Sequence, residues 1–156
     1  MGADAGSDAA AETAAVTAPL SADVAFLLAR ANAVSLAAGN AAVTPFGLKV
    51  RSYSVLALIV TGSRPSQREL AAYLRLDPSR VVSLVDELER AGLVRRDPDP
   101  ADRRANVVVP TDQGRAVYAQ AEAAAHAAER AVLARLTDAQ RAQLAELLSA
   151  VAFPTA

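Results

Sequence analysis

Two helix-start signals that lie close together in the middle of the chain constrain its fold more than any other feature. Ser66 and Glu69 form an S-x-x-E capping box, in which each side chain satisfies a backbone N–H that the helix start leaves unpaired. Asp77 is a favourable N-cap, and Pro78 follows it at the first helical position, where its missing N–H costs nothing. The sequence therefore predicts two short helices joined by a tight turn.

The second of these helices has two different faces. Four apolar residues recur at the spacing of a buried helical stripe: Val81, Leu84, Val85 and Leu88. Near the helix N-terminus, the opposite face carries small, hydroxyl-bearing or guanidinium side chains: Ser79, Arg80, Val82 and Ser83. Side chains of this kind can reach base edges when a helix N-terminus enters a major groove. Gly92 is predicted to end the helix in the left-handed conformation.

A basic hairpin is predicted after Gly92. Arg95 and Arg96 lie on its first arm, Asp and Pro residues fill 97–100, Arg103 and Arg104 follow, and a β-branched run occupies 107–109. Arginines in isolation would form a solvated edge, but a hairpin directly after two such helices is placed to contact the DNA backbone or minor groove. The fold class predicted is mainly α with a small β wing, namely a winged helix-turn-helix that binds double-stranded DNA.

The order of these features resembles the MarR family of bacterial transcription regulators. The resemblance is carried by residues 70–96 and by the wing signature Asp102-Arg103-Arg104 followed by Thr111-Asp112-Gln113-Gly114, and it extends from about residue 26 to about residue 151. This sequence has Val82-Ser83 where the family often has Thr-Arg on the recognition helix. The resemblance implies an obligate homodimer built by the first and last helices, and a pseudo-palindromic operator.

Four segments are predicted along the chain. Residues 1–19 contain almost no large apolar side chain and are predicted to be a disordered tail, with an alanine-rich helix as the alternative. Residues 20–50 form the N-terminal dimerisation helix and its connection, residues 51–111 the DNA-binding lobe, and residues 112–152 the C-terminal dimerisation helices. The C-terminal segment is predicted to contain one long helix over 112–136 and a second helix that starts at a Thr137–Gln140 capping box.

Several local expectations accompany this division. Ser21 is predicted to cap the first helix, which Gly39-Asn40 weakens, and residues 51–61 form a helix that is apolar nearly all round and therefore buried. Arg64-Pro65 can add a short third strand to the wing. The predicted buried side of the first helix is Val24, Leu27, Leu28, Ala31 and Val34, and the apolar stripe of the last helix is Leu144, Leu147, Leu148 and Val151.

Charge supports a DNA partner only locally. The formal net charge is −1, but three acids and no Lys or Arg lie in residues 1–19, and residues 49–104 hold eleven basic against eight acidic side chains. The predicted direct reader of bases is Arg80, with Ser79 and Ser83 at a base edge or phosphate and Val82 at a thymine methyl. The remaining DNA contacts are assigned to Ser66, Gln67 and Arg68 at the start of the preceding helix and to Arg103 and Arg104 at the wing, where Asp102 holds the tip.

Other classes of function find little support. The chain has no cysteine and a single histidine, His126, so neither a thiol switch nor a metal site is expected, and no catalytic constellation or cofactor motif is present. A winged fold that binds another protein is the second hypothesis, which Asp86, Glu87 and Glu89 favour mildly. The chain lacks twenty uninterrupted apolar residues, so a cytoplasmic protein without a membrane span is predicted.

A regulator also needs an input signal. The family resemblance implies a small aromatic or phenolic effector that binds where the dimerisation helices meet the DNA-binding lobe and releases DNA. Phe46, Tyr53 and His126 lie on the segments that would line such a pocket, although ordinary core or interface packing explains each of them equally well. Repression is the commoner outcome in the family.

Overall fold

The structure is a computed structural model that describes residues 20–99 and 106–154. The predicted tail, residues 1–19, and the wing tip with Asp102, Arg103 and Arg104 lie outside the described residues. The chain divides into two compact units, with the boundary after Ala37. In chain order the elements are α1 (Val24–Val43), a 3-10 turn (Thr44–Phe46), α2 (Val50–Val60), α3 (Gln67–Leu74), α4 (Pro78–Arg90), β1 (Val94–Pro98), β2 (Asn106–Pro110), α5 (Asp112–Val132) and α6 (Asp138–Ala152).

The predicted caps of the helix-turn-helix are confirmed. Ser66 Oγ accepts from the Glu69 N–H at 3.2 Å, and Glu69 Oε2 accepts from the Ser66 N–H at 2.7 Å. Asp77 Oδ1 accepts from the Ser79 N–H at 2.8 Å at the start of α4. Hydrogen bonds from the backbone and hydroxyl of Ser66 lower the pKa of Glu69, and those from the hydroxyl and backbone of Ser79 lower the pKa of Asp77. Both helices thus begin with an ionised acceptor at neutral pH.

The centre of the predicted DNA-binding lobe is α2. Val55, Leu56 and Ile59 are fully buried, and α2 packs against α4, α5 and β2. Leu70, Val81, Val85 and Val108 complete the same core, so the apolar stripe predicted for α4 does face inward. A helix without a polar face is buried in this way because each of its sides has a neighbouring element to pack against.

The prediction that Ser21 caps α1 is wrong. Asp23 Oδ1 accepts from the Phe26 N–H at 2.7 Å, and α1 starts one residue later, at Val24. Asp23 is therefore the capping residue, since an aspartate two positions closer to the helix offers the same kind of acceptor.

The expected weakening of α1 at Gly39-Asn40 is also absent, because the helix continues to Val43. A Cβ on Gly39 would lie 2.8 Å from Val50 Cγ2, and Asn40 Oδ1 accepts from the Val50 N–H at 2.9 Å. These two residues therefore serve close packing between the end of α1 and the start of α2, rather than helix termination.

Apolar side chains predicted to be buried on α1 are exposed within the single chain. Val24, Leu27, Leu28 and Val34 are each more than two-fifths exposed, so the single chain does not cover this side of the helix, and its burial in a dimer stays a prediction. Leu147, Leu148 and Val151 of α6 are likewise exposed. The segment Val24–Phe46 is long and apolar enough to cross a membrane by length and composition alone, although none of its apolar window is buried in this chain.

Two further boundaries differ from expectation. The long C-terminal helix ends at Val132 rather than at residue 136, and the Arg141 guanidinium donates to the Leu136 carbonyl at 2.6 Å across the following turn. Among the described residues, Arg64-Pro65 adds no third strand to the wing, since Arg64 has a positive φ of 47° that interrupts extended backbone. What remains there is one bridge between Ser66 and Val107.

Candidate nucleic-acid interface

The N-terminal half of α4 presents the predicted base-reading residues to solvent. Exposed residues on this half are Ser79, Arg80, Val82 and Ser83. Val81, Leu84 and Val85, on the opposite face of the helix, are buried. The Asp77 cap and Pro78 fix where the helix begins and therefore which side chains point outward. An α-helix with this exposed face has the dimensions and chemistry to enter a major groove.

Ser79 and Ser83 are already partly engaged within the helix. The Ser79 hydroxyl donates to Asp77 Oδ1, and the Ser83 hydroxyl donates to the Ser79 carbonyl at 3.1 Å. Because each hydroxyl proton is used internally, the remaining lone pairs make these serines acceptors toward an incoming ligand. Arg80, which has only donors, complements them on the same surface.

The start of α3 forms a second part of the surface. Arg68 is exposed, and Ser66 and Gln67 are half-buried beside it. The capping box fixes where α3 begins, and the positive end of a helix dipole favours anions.

Arg96, which was predicted to lie on the first arm of the basic hairpin, pairs with acidic residues of α4. Its guanidinium pairs with Asp86 at 2.5 Å and with Glu89, and its backbone N–H donates to Glu89 Oε1 at 3.2 Å. Only 23% of the side chain is exposed. Sequence reasoning missed this connection. The available signal was a pair of carboxylates three residues apart on α4, followed by an arginine on the next strand. Two of the three acids that mildly favoured a protein-binding face, Asp86 and Glu89, are therefore paired within the lobe, while Glu87 is exposed.

Arg95 points to the other side of β1. Its guanidinium pairs with Asp97, two residues along the same strand, and the Arg64 guanidinium lies 3.7 Å from the second Asp97 oxygen. Successive side chains of a strand alternate between faces, which separates Arg95 from Arg96. The prediction assigned DNA contacts to Arg103 and Arg104 but did not single out Arg64 or Arg95.

The Thr-x-x-Gly signature joins the recognition helix to α5. Thr111 Oγ1 accepts from the Gly114 N–H at 2.9 Å and donates to the Gly92 carbonyl at 2.6 Å. A Cβ on Gly114 would lie 1.9 Å from the Leu93 carbonyl oxygen, so only glycine allows this approach. Gly92, at φ 73°, supplies the left-handed end of α4 that was predicted. The signature therefore has a structural role.

Two tyrosines stack at the edge of the core. The Tyr53 and Tyr118 rings lie 5.8 Å apart with an interplanar angle of 17°, and the Tyr118 hydroxyl donates to Glu122 Oε1 at 2.5 Å. Burial and then the Glu122 charge raise the pKa of Tyr53, while the hydrogen bond to Glu122 and then burial raise that of Tyr118. Sequence reasoning named Tyr53 but missed its partner, which lies far away along the chain.

The other two residues predicted for an effector pocket have different surroundings. Phe46 is half-buried and packs against the core, whereas His126 is exposed. An open groove of about 310 Å³ in the same lobe has a different lining: Leu58, Ser63, Pro65, Glu69, Leu70 and Tyr73. A pocket formed by Phe46, Tyr53 and His126 therefore stays a prediction. Within residues 20–99 and 106–154, no group of three or more His, Cys, Asp or Glu side chains is arranged to hold a metal ion.

Comparison with known sequences places the lobe among bacterial regulators. A family model described as MarR family matches residues 46–105. The HTH-type transcriptional repressor Rv2887 of Mycobacterium tuberculosis is 32% identical over 127 residues, which covers 81% of this chain and 91% of that protein. A putative transcriptional regulatory protein for the hcr operon of Thauera aromatica is 35% identical over 105 residues, covering 67% of this chain and 63% of that protein.

Solved structures agree with the sequences. CouR from Rhodococcus jostii RHA1, bound to p-coumaroyl-CoA, has a TM-score of 0.80 and 42% identity, covering 88% of this chain and 96% of that one. Rv2887 in complex with DNA has a TM-score of 0.68 and 31% identity, covering 83% and 98% of the two chains. Rv2887 has also been solved with p-aminosalicylic acid.

Proposed function

The chain belongs to the MarR family of DNA-binding transcription regulators, and we propose on that basis that it is a homodimeric repressor of a pseudo-palindromic operator, released by a small aromatic molecule. The observation that carries the proposal is the exposed N-terminal face of α4, which presents Arg80 between two serine acceptors. This family consists of transcription regulators and is not a class of enzymes.

Each DNA contact has a proposed role. Arg80 reads a base edge, in bidentate fashion to a guanine, while Ser79 and Ser83 accept from base amino groups and Val82 touches a thymine methyl. Arg68 contacts phosphate together with Gln67 and the helix cap at Ser66. Arg103 and Arg104 contact the minor groove or flanking backbone, with Asp102 holding the wing tip.

A homodimer accounts for the apolar surfaces of α1 and α6. On α1, Val24 is 69% exposed, and on α6, Val151 is 69% exposed, in each case with further apolar neighbours on the same helix. Contiguous apolar surface of this kind marks an interface. Arg30, which lies in the first third of the apolar segment Val24–Phe46, favours burial of this surface against a partner subunit over insertion in a membrane. A cytoplasmic location follows for a protein that binds chromosomal DNA.

Aromatic chemistry is proposed for the effector because two relatives were solved with such molecules, CouR with p-coumaroyl-CoA and Rv2887 with p-aminosalicylic acid. In this chain Phe46, Tyr53 and His126 are the proposed contacts, together with Tyr118, which stacks on Tyr53. Flat aromatic side chains at the edge of a core suit the face of an aromatic ligand.

The test is a selection of bound fragments from random duplex DNA by the purified protein at near-physiological salt, with the mass of the complex measured. We expect a two-fold-symmetric site bound by two chains. A stable dimer that enriched no DNA sequence would contradict the proposal and favour a winged fold that binds another protein. Release of the selected site is then measured by fluorescence anisotropy with p-coumarate, p-coumaroyl-CoA and p-aminosalicylate as probes, and buffer without any of these molecules as the control.

A further inference from the structure

Arg64 and Arg95 approach one carboxylate from two different segments of the chain. Arg64 Nη2 lies 3.7 Å from Asp97 Oδ2, and Arg95 Nη1 donates to Asp97 Oδ1. The two arginine side chains are 48% and 62% exposed, whereas Asp97 is only 18% exposed. Two cations thus share one anion, and this cluster presents a net positive charge to solvent.

The cluster lies where two DNA-contacting segments meet. Arg64 stands two residues before the Ser66 cap of α3, and the Pro65 carbonyl accepts from the Val108 N–H at 2.9 Å. Arg95 and Asp97 lie on β1, the strand that pairs with β2 to form the wing. The start of α3 is thereby attached to the wing at the position of the cluster, between the segment assigned to phosphate contact and the hairpin.

We propose that Arg64 and Arg95 form a binding site for the phosphate backbone of DNA, and that Asp97 holds both guanidiniums in place and competes with phosphate for them. This inference rests on the DNA-binding function proposed above. A guanidinium fork matches the oxygens of a phosphate as well as those of a carboxylate. The guanidinium ends of both ion pairs are largely exposed, and solvent screening keeps such contacts weak, so phosphate can compete with Asp97 for them.

The neighbouring arginine shows what a purely structural role looks like. Arg96 pairs with two carboxylates of α4, and its side chain is much less exposed to solvent than those of Arg64 and Arg95. It therefore lies outside the proposed site, although it is adjacent to Arg95 in sequence.

The site is tested through the salt dependence of DNA binding. Dissociation constants of wild type, Arg64→Gln and Arg95→Gln are measured by anisotropy on the selected site and on random duplex between low and physiological salt. Each lost phosphate contact lowers the log–log salt slope by about 0.9, and a dimer presents each residue twice, so each variant is expected to lower the slope by about 1.8. The loss of affinity should be similar on both DNAs, since phosphates carry no sequence information.

Matched variants separate phosphate binding from folding. Arg64→Lys and Arg95→Lys keep the charge and should keep most of the slope, and Arg135→Gln, an exposed arginine between α5 and α6, should leave it unchanged. Thermal unfolding is compared for all variants. Unchanged slopes for Arg64→Gln and Arg95→Gln in proteins that melt like wild type would overturn the inference.

Asp97→Asn provides a test of opposite sign. Removing the competing carboxylate should tighten binding to random duplex several-fold, whereas a merely structural Asp97 would leave affinity equal or lower it. Equal or weaker binding by a variant with wild-type melting would overturn the role of Asp97. If the wild-type protein bound no duplex at any salt, the proposed function itself would be wrong. If it bound duplex normally and the variants showed no effect, only the phosphate site would be wrong.

Discussion

Arg96 on β1 donates its guanidinium Nη2 to the Asp86 carboxylate on α4 at 2.5 Å. This contact, with the second one to Glu89, joins the wing to the C-terminal half of the recognition helix. Arg96 therefore helps to hold the wing against the recognition helix.

Arg96→Gln is expected to lower the free energy of unfolding by about 1–3 kcal/mol, because Asp86 and Glu89 would lose a partly buried, charged donor. Urea unfolding at one fixed protein concentration measures the change. Arg95→Gln is the matched control, with an effect of at most about 0.5 kcal/mol, since the Arg95 side chain is largely exposed and Arg64 remains beside Asp97. Equal losses for the two variants would contradict the distinction.

Arg80→Ala is expected to reduce discrimination between the selected site and random duplex by about 1–3 kcal/mol, because a lost base contact penalises only the specific complex. Competition binding at constant salt measures the ratio of the two affinities. Arg90→Ala, at the exposed C-terminal end of the same helix, serves as the control and should preserve the ratio. Equal weakening on both DNAs would assign Arg80 to the backbone instead.

Changing Arg103 and Arg104 together to Gln is expected to weaken binding to all duplexes and flatten its salt dependence, whereas it should alter discrimination less than Arg80→Ala does. The same anisotropy titrations measure both quantities. A selective loss on the operator alone would show that the wing reads sequence.

Gly114→Ala is expected to destabilise the protein by about 3 kcal/mol, because the new methyl group would overlap the Leu93 carbonyl and force the backbone apart. Gln113→Ala, on the exposed side of the same turn, should change stability little. A Gly114→Ala protein with wild-type melting would show that the turn can move away.

Alkaline pH should destabilise the fold through Tyr118. The hydrogen bond to Glu122 and burial raise its folded pKa above the ordinary value of 10.0, so the unfolded chain loses this proton first. The resulting stabilisation is complete below pH 10 and is lost as the pH rises through the folded pKa. Unfolding free energies measured from pH 8 upward should therefore fall less steeply for Tyr118→Phe than for wild type. Identical slopes would contradict this prediction.

Features that depend on a few adjacent residues were predictable from the sequence. The Ser66–Glu69 and Thr137–Gln140 boxes form as expected, because capping partners are fixed three residues apart. The cap of α1 was misassigned because Ser21 and Asp23 are both suitable, and only the backbone path chooses between them.

Contacts between distant segments were not predictable in the same way. The exposed faces of Ser79 and Arg80 follow from helical periodicity, but the pairing of Arg96 with Asp86 depends on how β1 crosses α4. The apolar residues of α1 are exposed in the single chain, because periodicity detects an apolar face without telling which chain covers it, so their burial in a dimer stays a prediction.

The Thr111–Gly114 junction connects α5 rigidly to the end of the recognition helix. The hydroxyl of Thr111 bridges the end of the recognition helix and the first turn of α5, and Gly114 leaves no gap against Leu93 that could act as a hinge. An α-helix of 21 residues is about 30 Å long, so a tilt of roughly 10° displaces its far end by about 5 Å. A displacement of the distant end of α5 would therefore rotate the recognition helix together with α5.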